Sequence, residues 1–260
     1  MGVVSLMLVA CVTVPEKNLL LISAPVNQEG SAPRCFDDGV LRVLSWNIHK
    51  ATHRGLTSDL KHYAAENDLL LLQEAVLDAT VREVLVHEGY GWQMTRAFAV
   101  GGRDRGVIIA ARIAPVDGRA LCTYEPLFPI PKSAIIAHYR LAGRRESLAV
   151  ANLHGINFSL GLGRFREQID AIASELRHHQ GPIIFGGDFN TWSSKRYAVL
   201  FAVAKQLGLE EVKLSPDERR SAFGQHLDHF FIRGFKVVNA GSPEVKSSDH
   251  NPILVKVVRG

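Results

Sequence analysis

Short apolar segments alternate along this chain with amphipathic helical patterns, and this alternation constrains the fold more than any other feature. Some apolar segments are separated by helical patterns and others by tight turns, which argues against a purely parallel, doubly wound sheet. The pattern predicts an α+β protein in which two packed mixed β-sheets are flanked by helices. We predict strands over 41–46, 69–72, 106–112, 134–141, 148–153, 183–185, 229–232 and 253–258, and helices over 57–67, 78–88, 164–179 and 194–207.

The composition is that of a folded chain with a large core. Hydrophobic residues make up 47% of the 260 residues and charged residues 22%, which excludes general disorder, collagen and a disulfide scaffold. No apolar run approaches the roughly 20 residues that span a bilayer, so a polytopic membrane protein is excluded too. The net charge of +4 indicates only a weak preference for anionic partners such as phosphates and nucleic acid.

The N-terminus has the features of an export signal. Residues 1–10 carry no charge, and Leu8-Val9-Ala10-Cys11 resembles a bacterial lipobox in which Cys11 receives the lipid. The apolar run is short and no Lys or Arg precedes it, so a frayed or buried N-terminal segment is the alternative. If the leader is real and Cys11 carries a lipid, we expect a lipoprotein or periplasmic protein of the bacterial cell envelope. If there is no such leader, we expect a cytoplasmic protein.

The domain boundaries follow from composition. Residues 11–40 are rich in Pro, Gly, Ser, Asn and Asp and are predicted to form a tether, which leaves 41–260 as one folded domain. If Cys11 carries lipid, Cys35 and Cys122 remain as an even pair. Both a disulfide and two separate thiols are compatible with that spacing.

Polar residues recur at the ends of the predicted strands. The segments concerned are Trp46-Asn47, Gln73-Glu74, Asn152-Leu153-His154, Asp188-Phe189-Asn190, Asp228 and Asp249-His250. In a sandwich, polar residues at corresponding strand ends converge on one mouth, where acid–base groups and metal ligands act.

Asp188 and Asn190 are separated by one residue after a buried strand. In an extended segment the side chains of residues i and i+2 point the same way, so the carboxylate and the amide would face one spot. The alternative is an Asx turn at the strand end.

Glu74 ends the apolar run Leu69-Leu70-Leu71-Leu72-Gln73. A carboxylate beside a core strand must be paired, protonated or bound to a metal, because an unpaired buried charge costs several kcal/mol. Mg²⁺ binds through one or two carboxylates together with water and phosphate oxygens. The alternative is a pairing with one of the many arginines.

His250 follows Asp249 directly, and Asp228 precedes His229. A histidine is the natural general base near neutral pH, and a carboxylate on its other ring nitrogen fixes the tautomer. If Asp228 faces the mouth, then its strand neighbour His229 faces away and is structural.

Taken in order, these motifs resemble the endonuclease/exonuclease/phosphatase superfamily, which has the fold of deoxyribonuclease I. They are Ser45-Trp46-Asn47, Gln73-Glu74, Asn152-Leu153-His154, Gly187-Asp188-Phe189-Asn190, Leu227-Asp228 and Ser248-Asp249-His250, and the resemblance spans roughly 41–258. Longer stretches, such as Arg220-Ser221-Ala222-Phe223-Gly224, resemble the YafD-like bacterial group within that superfamily.

The resemblance implies a four-layer αββα sandwich that hydrolyses phosphate esters with Mg²⁺, or with Mn²⁺ in its place. On the metal side, it implies that Glu74 holds the cation and that Asp249 is a further metal-side carboxylate. Asn47 would lie close to both metal and phosphate.

The resemblance also implies roles around the reacting phosphate. Asp188 and Asn190 would position the attacking water and the phosphate, and His154 would stabilise charge on the non-bridging oxygens. His250 would deprotonate the water, with Asp228 orienting its ring.

The substrate is less determined than the chemistry. A phosphodiesterase acting on nucleic acid, as endonuclease or exonuclease, is the first prediction, because Arg164-Phe165-Arg166, Lys195-Arg196 and Arg219-Arg220 could line a groove for backbone phosphates. A phospholipid or sugar-phosphate phosphodiesterase or phosphatase at the envelope is the alternative. A third hypothesis is a binding module that has lost catalysis. We expect a monomer.

Overall fold

The structure is a computed structural model that describes residues 12–25, 35–37, 39–51, 53–126, 130–159 and 161–260. The predicted leader over 1–10 and the predicted lipid site Cys11 lie outside the described residues. Cys35 and Cys122 lie within them, and both are free thiols. In these ranges no helix is both long enough and apolar enough to cross a membrane.

Strands outnumber helices in this chain. The described strands are β1 (Val12–Thr13), β2 (Leu19–Ser23), β3 (Leu41–Asn47), β4 (Leu69–Val76), β5 (Gly91–Val100), β6 (Arg103–Ala111), β7 (Asp117–Tyr124), β8 (Pro131–Tyr139), β9 (Leu148–His154), β10 (Ile183–Asp188), β11 (Glu210–Glu211), β12 (Ser221–Ala222), β13 (Gln225–His226), β14 (Asp228–Arg233), β15 (Phe235–Gly241) and β16 (Ile253–Arg259). The helices are α1 (Leu56–Glu66), α2 (Ala79–His87), α3 (Gly163–Leu176) and α4 (Ser194–Gln206), with a short 3-10 helix at His49–Ala51.

Both main sheets are mixed. The first has the order β1-β5-β6-β4-β3-β16-β15, with β2 also paired to β5, and the second has the order β11-β14-β10-β9-β8-β7. Each sheet has one parallel pair near its centre, β3 with β4 and β9 with β10, between antiparallel neighbours. The carboxyl ends of these four central strands therefore bring their terminal residues to the same edge of each sheet.

The core has three apolar layers, as four stacked layers of secondary structure require. Strand β4 shows how the sequence produces them: Leu69 and Leu71 face the second sheet, whereas Leu70 and Leu72 pack under α1 and α2. The uninterrupted leucine run is thus buried on both faces of its sheet. A third cluster joins the second sheet to α3 and α4 through Phe165, Ile169 and Leu200. The predicted αββα sandwich is confirmed.

The segment predicted as a tether contributes to the first sheet. Strands β1 and β2 both lie within 11–40 and pair with β5. The run Leu19-Leu20-Leu21-Ile22 supplies apolar side chains to this edge, with Leu20 and Leu21 packed against the core. Part of the predicted tether therefore belongs to the first sheet. The sequence did not indicate this, because turn-forming residues on both sides of the short apolar run made the whole segment resemble a linker.

Candidate active site

The central strands of the two sheets end at a common mouth. Asn47 is the last residue of β3 and Asp188 the last of β10, and the Asn47 Nδ2 atom donates a 2.9 Å hydrogen bond to Asp188 Oδ2 across the gap between the sheets. Asp188 pairs in register with His154 of β9 on one side and with Asp228 of β14 on the other. Strand register within the second sheet and a hydrogen bond between the sheets thus bring together residues that are far apart in sequence.

Asp188 and Asn190 combine both arrangements that the sequence allowed. The Asn190 backbone N–H donates to Asp188 Oδ1 over 3.0 Å, which is an Asx turn. The Asn190 side chain donates to the Gly155 carbonyl over 3.0 Å, and the residue adopts a φ of 52°. The turn leaves Asp188 Oδ2 facing Asn47 and the mouth, so the turn and a functional carboxylate coexist.

A β-bulge directs Glu74 into the mouth. The register between β4 and β6 shifts between Leu72 and Ala75, and Glu74 has a φ of 47°. A bulge re-aims a side chain in this way. Gln73, also in the bulge, is fully buried and donates to Asn152 Oδ1 of the second sheet over 2.7 Å. This amide contact fixes the bulge against the opposite sheet.

Glu74 is surrounded by cations rather than paired with an arginine. Lys50 Nζ lies 3.3 Å from Glu74 Oε2, and His154 Nε2 lies 3.5 Å from Oε1. Burial by itself would raise the pKa of the Glu74 carboxyl, but the neighbouring His154 imidazole and the ammonium groups of Lys132 and Lys50 outweigh burial and hold the pKa at about 2. Glu74 is therefore ionised throughout the physiological range.

His250 and Asp228 form the expected pair. His250 Nδ1 lies 2.7 Å from Asp228 Oδ2, and His250 Nε2 lies 3.9 Å from Asp188 Oδ2, so Nε2 faces the mouth. Burial would lower the pKa of His250, but the charges of Asp228 and Asp188 raise it to about 10. The indole N–H of Trp46 donates to the His250 carbonyl over 2.8 Å and ties this loop to β3.

Lys132 is a site residue that the sequence reasoning missed. It lies on β8, and its Nζ is 2.7 Å from His154 Nε2. Burial and the charge of Lys132 lower the pKa of His154 to about 4, so the imidazole is neutral and accepts from the ammonium. The only sequence signal was a single cation near the start of an otherwise apolar strand.

Asp249 does not join the other predicted site residues, and His229 lies away from them as the sequence predicted. The Asp249 carboxylate lies 2.9 Å from His49 Nδ1, and no described contact joins it to Glu74 or Asp188. Its role as a metal-side carboxylate stays a prediction. His229 is buried away from the mouth between Glu211, at 2.6 Å, and Thr191, at 2.7 Å, as a structural histidine would be.

The predicted phosphate groove is partly wrong. Arg196 is fully buried, and its guanidinium donates to the carbonyl groups of Ile156, Asn157 and Asn190. Arg219 forms ion pairs with Asp217 and Glu211. Both arginines hold loops in place, because a buried guanidinium must satisfy its donors inside the protein.

The donor set at the mouth fits a hard divalent cation. Glu74 Oε2 is buried with Lys50 as its ion-pair partner at 3.3 Å, and the ligand atoms of Asp188, Asp228 and His250 lie within 4.8 Å of one another. His250 and Asp228 already bond each other, so the carboxylates of Glu74 and Asp188, with Asn47, are the groups that would hold it. Such oxygen ligands suit Mg²⁺ or Mn²⁺.

A cavity of about 400 Å³ opens beside Glu74. Its titratable lining residues are Lys50, Arg105, Lys132, His154, Glu74 and Glu125, and its apolar wall includes Phe98, Ile130 and Phe158. A larger cavity of about 720 Å³ lies at the other end of the sandwich and contains none of these residues. The chemistry of the lining, not the volume, identifies the site.

A two-sheet sandwich with buried carboxyl groups, a histidine–carboxylate pair and lysine side chains at one mouth defines the class of phosphoesterases that share the deoxyribonuclease I fold. The sequence model of the Endonuclease/Exonuclease/phosphatase family matches residues 44–250, and the chain belongs to this family. The family predicted from the motifs is confirmed, and the protein is a phosphoesterase of that family.

The relatives agree with this assignment. A UPF0294 protein of Vibrio cholerae is 38% identical over 246 residues, which cover 91% of this chain and 87% of the relative. An endonuclease/exonuclease/phosphatase from Beutenbergia cavernae has a similar structure, with 18% identity, a TM-score of 0.67, and coverage of 85% of this chain and 72% of that one. ANGEL2, a 2′,3′-cyclic phosphatase, is 16% identical, with a TM-score of 0.64 and coverage of 94% and 99%.

Proposed function

We propose that this protein hydrolyses phosphodiester bonds with a bound divalent cation, Mg²⁺ or Mn²⁺. The observation that carries the proposal is the His250–Asp228 pair, whose free ring nitrogen Nε2 faces Asp188 at 3.9 Å. Base, carboxylate and cations share one mouth, which is the arrangement that water attack on phosphorus needs.

His250 moves the proton in this proposal. Its Nδ1–H donates to Asp228, which fixes the tautomer and leaves the Nε2 lone pair toward the mouth. Nε2 takes a proton from a water as the water oxygen bonds to phosphorus, and the bond to the leaving oxygen breaks with its electron pair. Asp188 accepts from the water and orients it.

The phosphate oxygens meet preorganised positive groups. Lys132 and Lys50 flank Glu74, and the Asn47 amide provides a neutral donor. Preorganised donors of this kind usually contribute the largest share of rate enhancement. A cation held by Glu74 and Asp188 would supply Lewis acidity toward a phosphoryl oxygen and positive charge that lowers the pKa of His250 toward neutrality.

Nucleic acid is the first substrate to test. The exposed basic residues Arg164, Arg166, Lys195 and Arg220 remain available to contact a backbone, although Arg196 and Arg219 do not. A phospholipid or small phosphoester is the second candidate, and the 400 Å³ cavity beside Glu74 favours it because that volume suits a small molecule.

The test is an activity screen of the purified chain with Mg²⁺, Mn²⁺ or chelator. The substrates are DNA, RNA, dispersed phospholipid and small chromogenic phosphodiesters, and the comparator is the Asp188→Ala variant. We expect metal-dependent hydrolysis of at least one class, which Asp188→Ala abolishes. Equal hydrolysis by both proteins, or none on any substrate with either metal, would contradict the proposal and favour a binding module.

A further inference from the structure

The rim of the mouth carries exposed aromatic side chains on separate elements. Phe158, in the loop after β9, is 54% exposed, and Phe223, between β12 and β13, is 90% exposed. Both line a largely apolar cavity together with Trp192, and Asn190 of the active site lines it too. This surface, the aromatic rim, is defined by Phe158, Trp192 and Phe223.

Phe223 is exposed to solvent in an unfavourable backbone conformation. It occupies the turn of the β12–β13 hairpin with a φ of 50°, a region that bulky side chains rarely adopt. Its ring approaches Trp192, with centroids 6.3 Å apart. An exposed phenylalanine in a strained turn beside an active site indicates a selected role, since both exposure and strain oppose stability.

The chain enters the fold at the same end. Val12 pairs with Val100 and Thr13 with Ala99, so β1 runs, toward its amino end, to the tip of the β5–β6 hairpin. That hairpin carries Arg105, which lines the cavity beside Glu74. The uncharged segment 1–11, Met-Gly-Val-Val-Ser-Leu-Met-Leu-Val-Ala-Cys, is therefore joined to the fold at the mouth end.

We propose that the mouth end docks on an anionic phospholipid bilayer, with Phe158 and Phe223 inserted into its surface. Val12, 52% exposed, would lie at that surface too. The active site would then face phosphoesters at the membrane–water interface. The docking itself does not depend on hydrolysis.

Charge at this end favours an anionic surface. Lys50 is 45% exposed on its side chain, and Arg103 is exposed at the hairpin tip. Basic residues at an anionic membrane surface each add attraction that falls off within a Debye length. A nucleic-acid backbone would find fewer basic contacts than the sequence suggests, because Arg196 and Arg219 are bonded internally.

Vesicle binding tests the proposal in the full chain carrying Cys11→Ser, which removes lipidation. The probes are vesicles of phosphatidylglycerol and phosphatidylethanolamine, with phosphatidylcholine vesicles for comparison. We expect salt-sensitive cosedimentation with the anionic vesicles. Phe158→Ser/Phe223→Ser should lower the partition coefficient by about tenfold or more, since two aromatic side chains lose their apolar environment.

The matched control is Phe201→Ser. Phe201 is 46% exposed on α4 and lines a cavity that shares no residue with the two at the mouth. Its variant should bind as the parent does. His250→Ala should also bind as the parent does, so that a failure of the proposed hydrolysis and a failure of docking give different results.

A second measurement guards against binding through segment 1–11 alone. Vesicles with brominated acyl chains quench indole emission at close range, and Trp192 is the partly exposed indole, since Trp46 and Trp92 are buried. We expect quenching that Trp192→Phe removes and that Phe158→Ser/Phe223→Ser weakens. Cosedimentation without this quenching, or binding of single-stranded DNA but not vesicles through the same two phenylalanines, would overturn the proposal.

Discussion

The two ends of this sandwich are built from similar residue types but differ in how their charged groups are paired. At the far end, Arg112 donates to the carbonyls of Ala64, Asn67 and Glu88, and Arg233 donates to those of Leu207, His179 and Gly181. Each guanidinium joins several chain segments through neutral acceptors. At the far end, these arginine side chains therefore act as structural cross-links between loops and helix ends.

At the mouth, buried charged groups face one another. Lys132 lies against His154, and Glu74 and Asp188 lie close to the same imidazole. Burial raises the pKa of Asp188, while nearby charge moves those of Glu74 and His250 in opposite directions. Such opposed shifts among neighbours are typical of functional sites.

Backbone conformation differs between the ends in the same way. Among the residues that the structure describes, those other than glycine with a positive φ are His49, Lys50, Glu74, Asn190 and Phe223. All five lie at the mouth or its rim. The strained conformations therefore gather where the chemistry is expected, which is typical of functional sites.

The largest expected effect is the loss of turnover at the mouth. His250→Ala should lower kcat by about a thousandfold, because the proton acceptor is lost. Mg²⁺ affinity, measured by calorimetry, should change little. The matched far-end change is His62→Ala, an exposed histidine on α1, which should leave kcat unaltered. Equal losses in both variants would remove the distinction between the ends.

Glu74→Gln should lower activity and Mg²⁺ affinity together, each by about a hundredfold, because it removes one carboxylate charge from the cation site. Glu66→Gln makes the same chemical change at the far end, where Glu66 is exposed and lines the 720 Å³ cavity. Calorimetric titration of both variants with Mg²⁺ separates a specific site from general negative charge. A similar loss of affinity in Glu66→Gln would count against Glu74 as a ligand.

Arg112→Met should show the opposite profile. Loss of its bonds to three carbonyls should lower the free energy of unfolding by about 2 kcal/mol, because the buried acceptors lose their partner. The kcat per folded molecule should stay at the parent value. Urea denaturation and active-site titration measure the two quantities. A loss of kcat without a loss of stability would place Arg112 in the catalytic machinery instead.

A pH dependence of stability is expected in the presence of chelator. The pKa of His250 is raised from 6.5 to about 10, so its contribution is full below about pH 6.5 and is lost as pH rises toward 10. The pKa of Glu74 is lowered from 4.5 to about 2, so its contribution is present above about pH 4.5 and is lost toward pH 2. Stability should fall between pH 6.5 and 9, and His250→Gln should flatten that fall. An equally steep fall in His250→Gln would assign it to other groups.

The sequence predicted the layers and most central strands, because alternating burial is a local property of the chain. It missed β5, whose Gln93, Thr95 and Arg96 interrupt the apolar pattern although Gln93 and Thr95 are buried. Thr95 satisfies its hydroxyl on the Ala134 carbonyl of the other sheet, at 2.8 Å. A hydrogen-bond partner on another sheet cannot be recognised from the hydrophobic pattern of the strand itself.

The site was predictable where a residue's strand position decides its direction, as for Asp188 and His154. The site was not predictable where a bulge or a loop determines the direction of a side chain. Lys50 is an example, because it follows β3 in a left-handed conformation. Arg196 was misjudged because sequence shows a basic pair but not the carbonyls that its guanidinium binds. Exposure of a charge is a tertiary property.

The central claim is that Glu74 and Asp188 hold one divalent cation beside His250. The most direct measurement is anomalous diffraction from crystals of the chain grown with Mn²⁺. We expect a peak at the mouth in which carboxylate oxygens of Glu74 and Asp188 lie about 2.1 Å from the ion, the distance typical of Mg²⁺-type sites. A peak only at the far end, among Glu66 and Asp68, or a mouth peak that Glu74→Gln leaves unchanged, would contradict it.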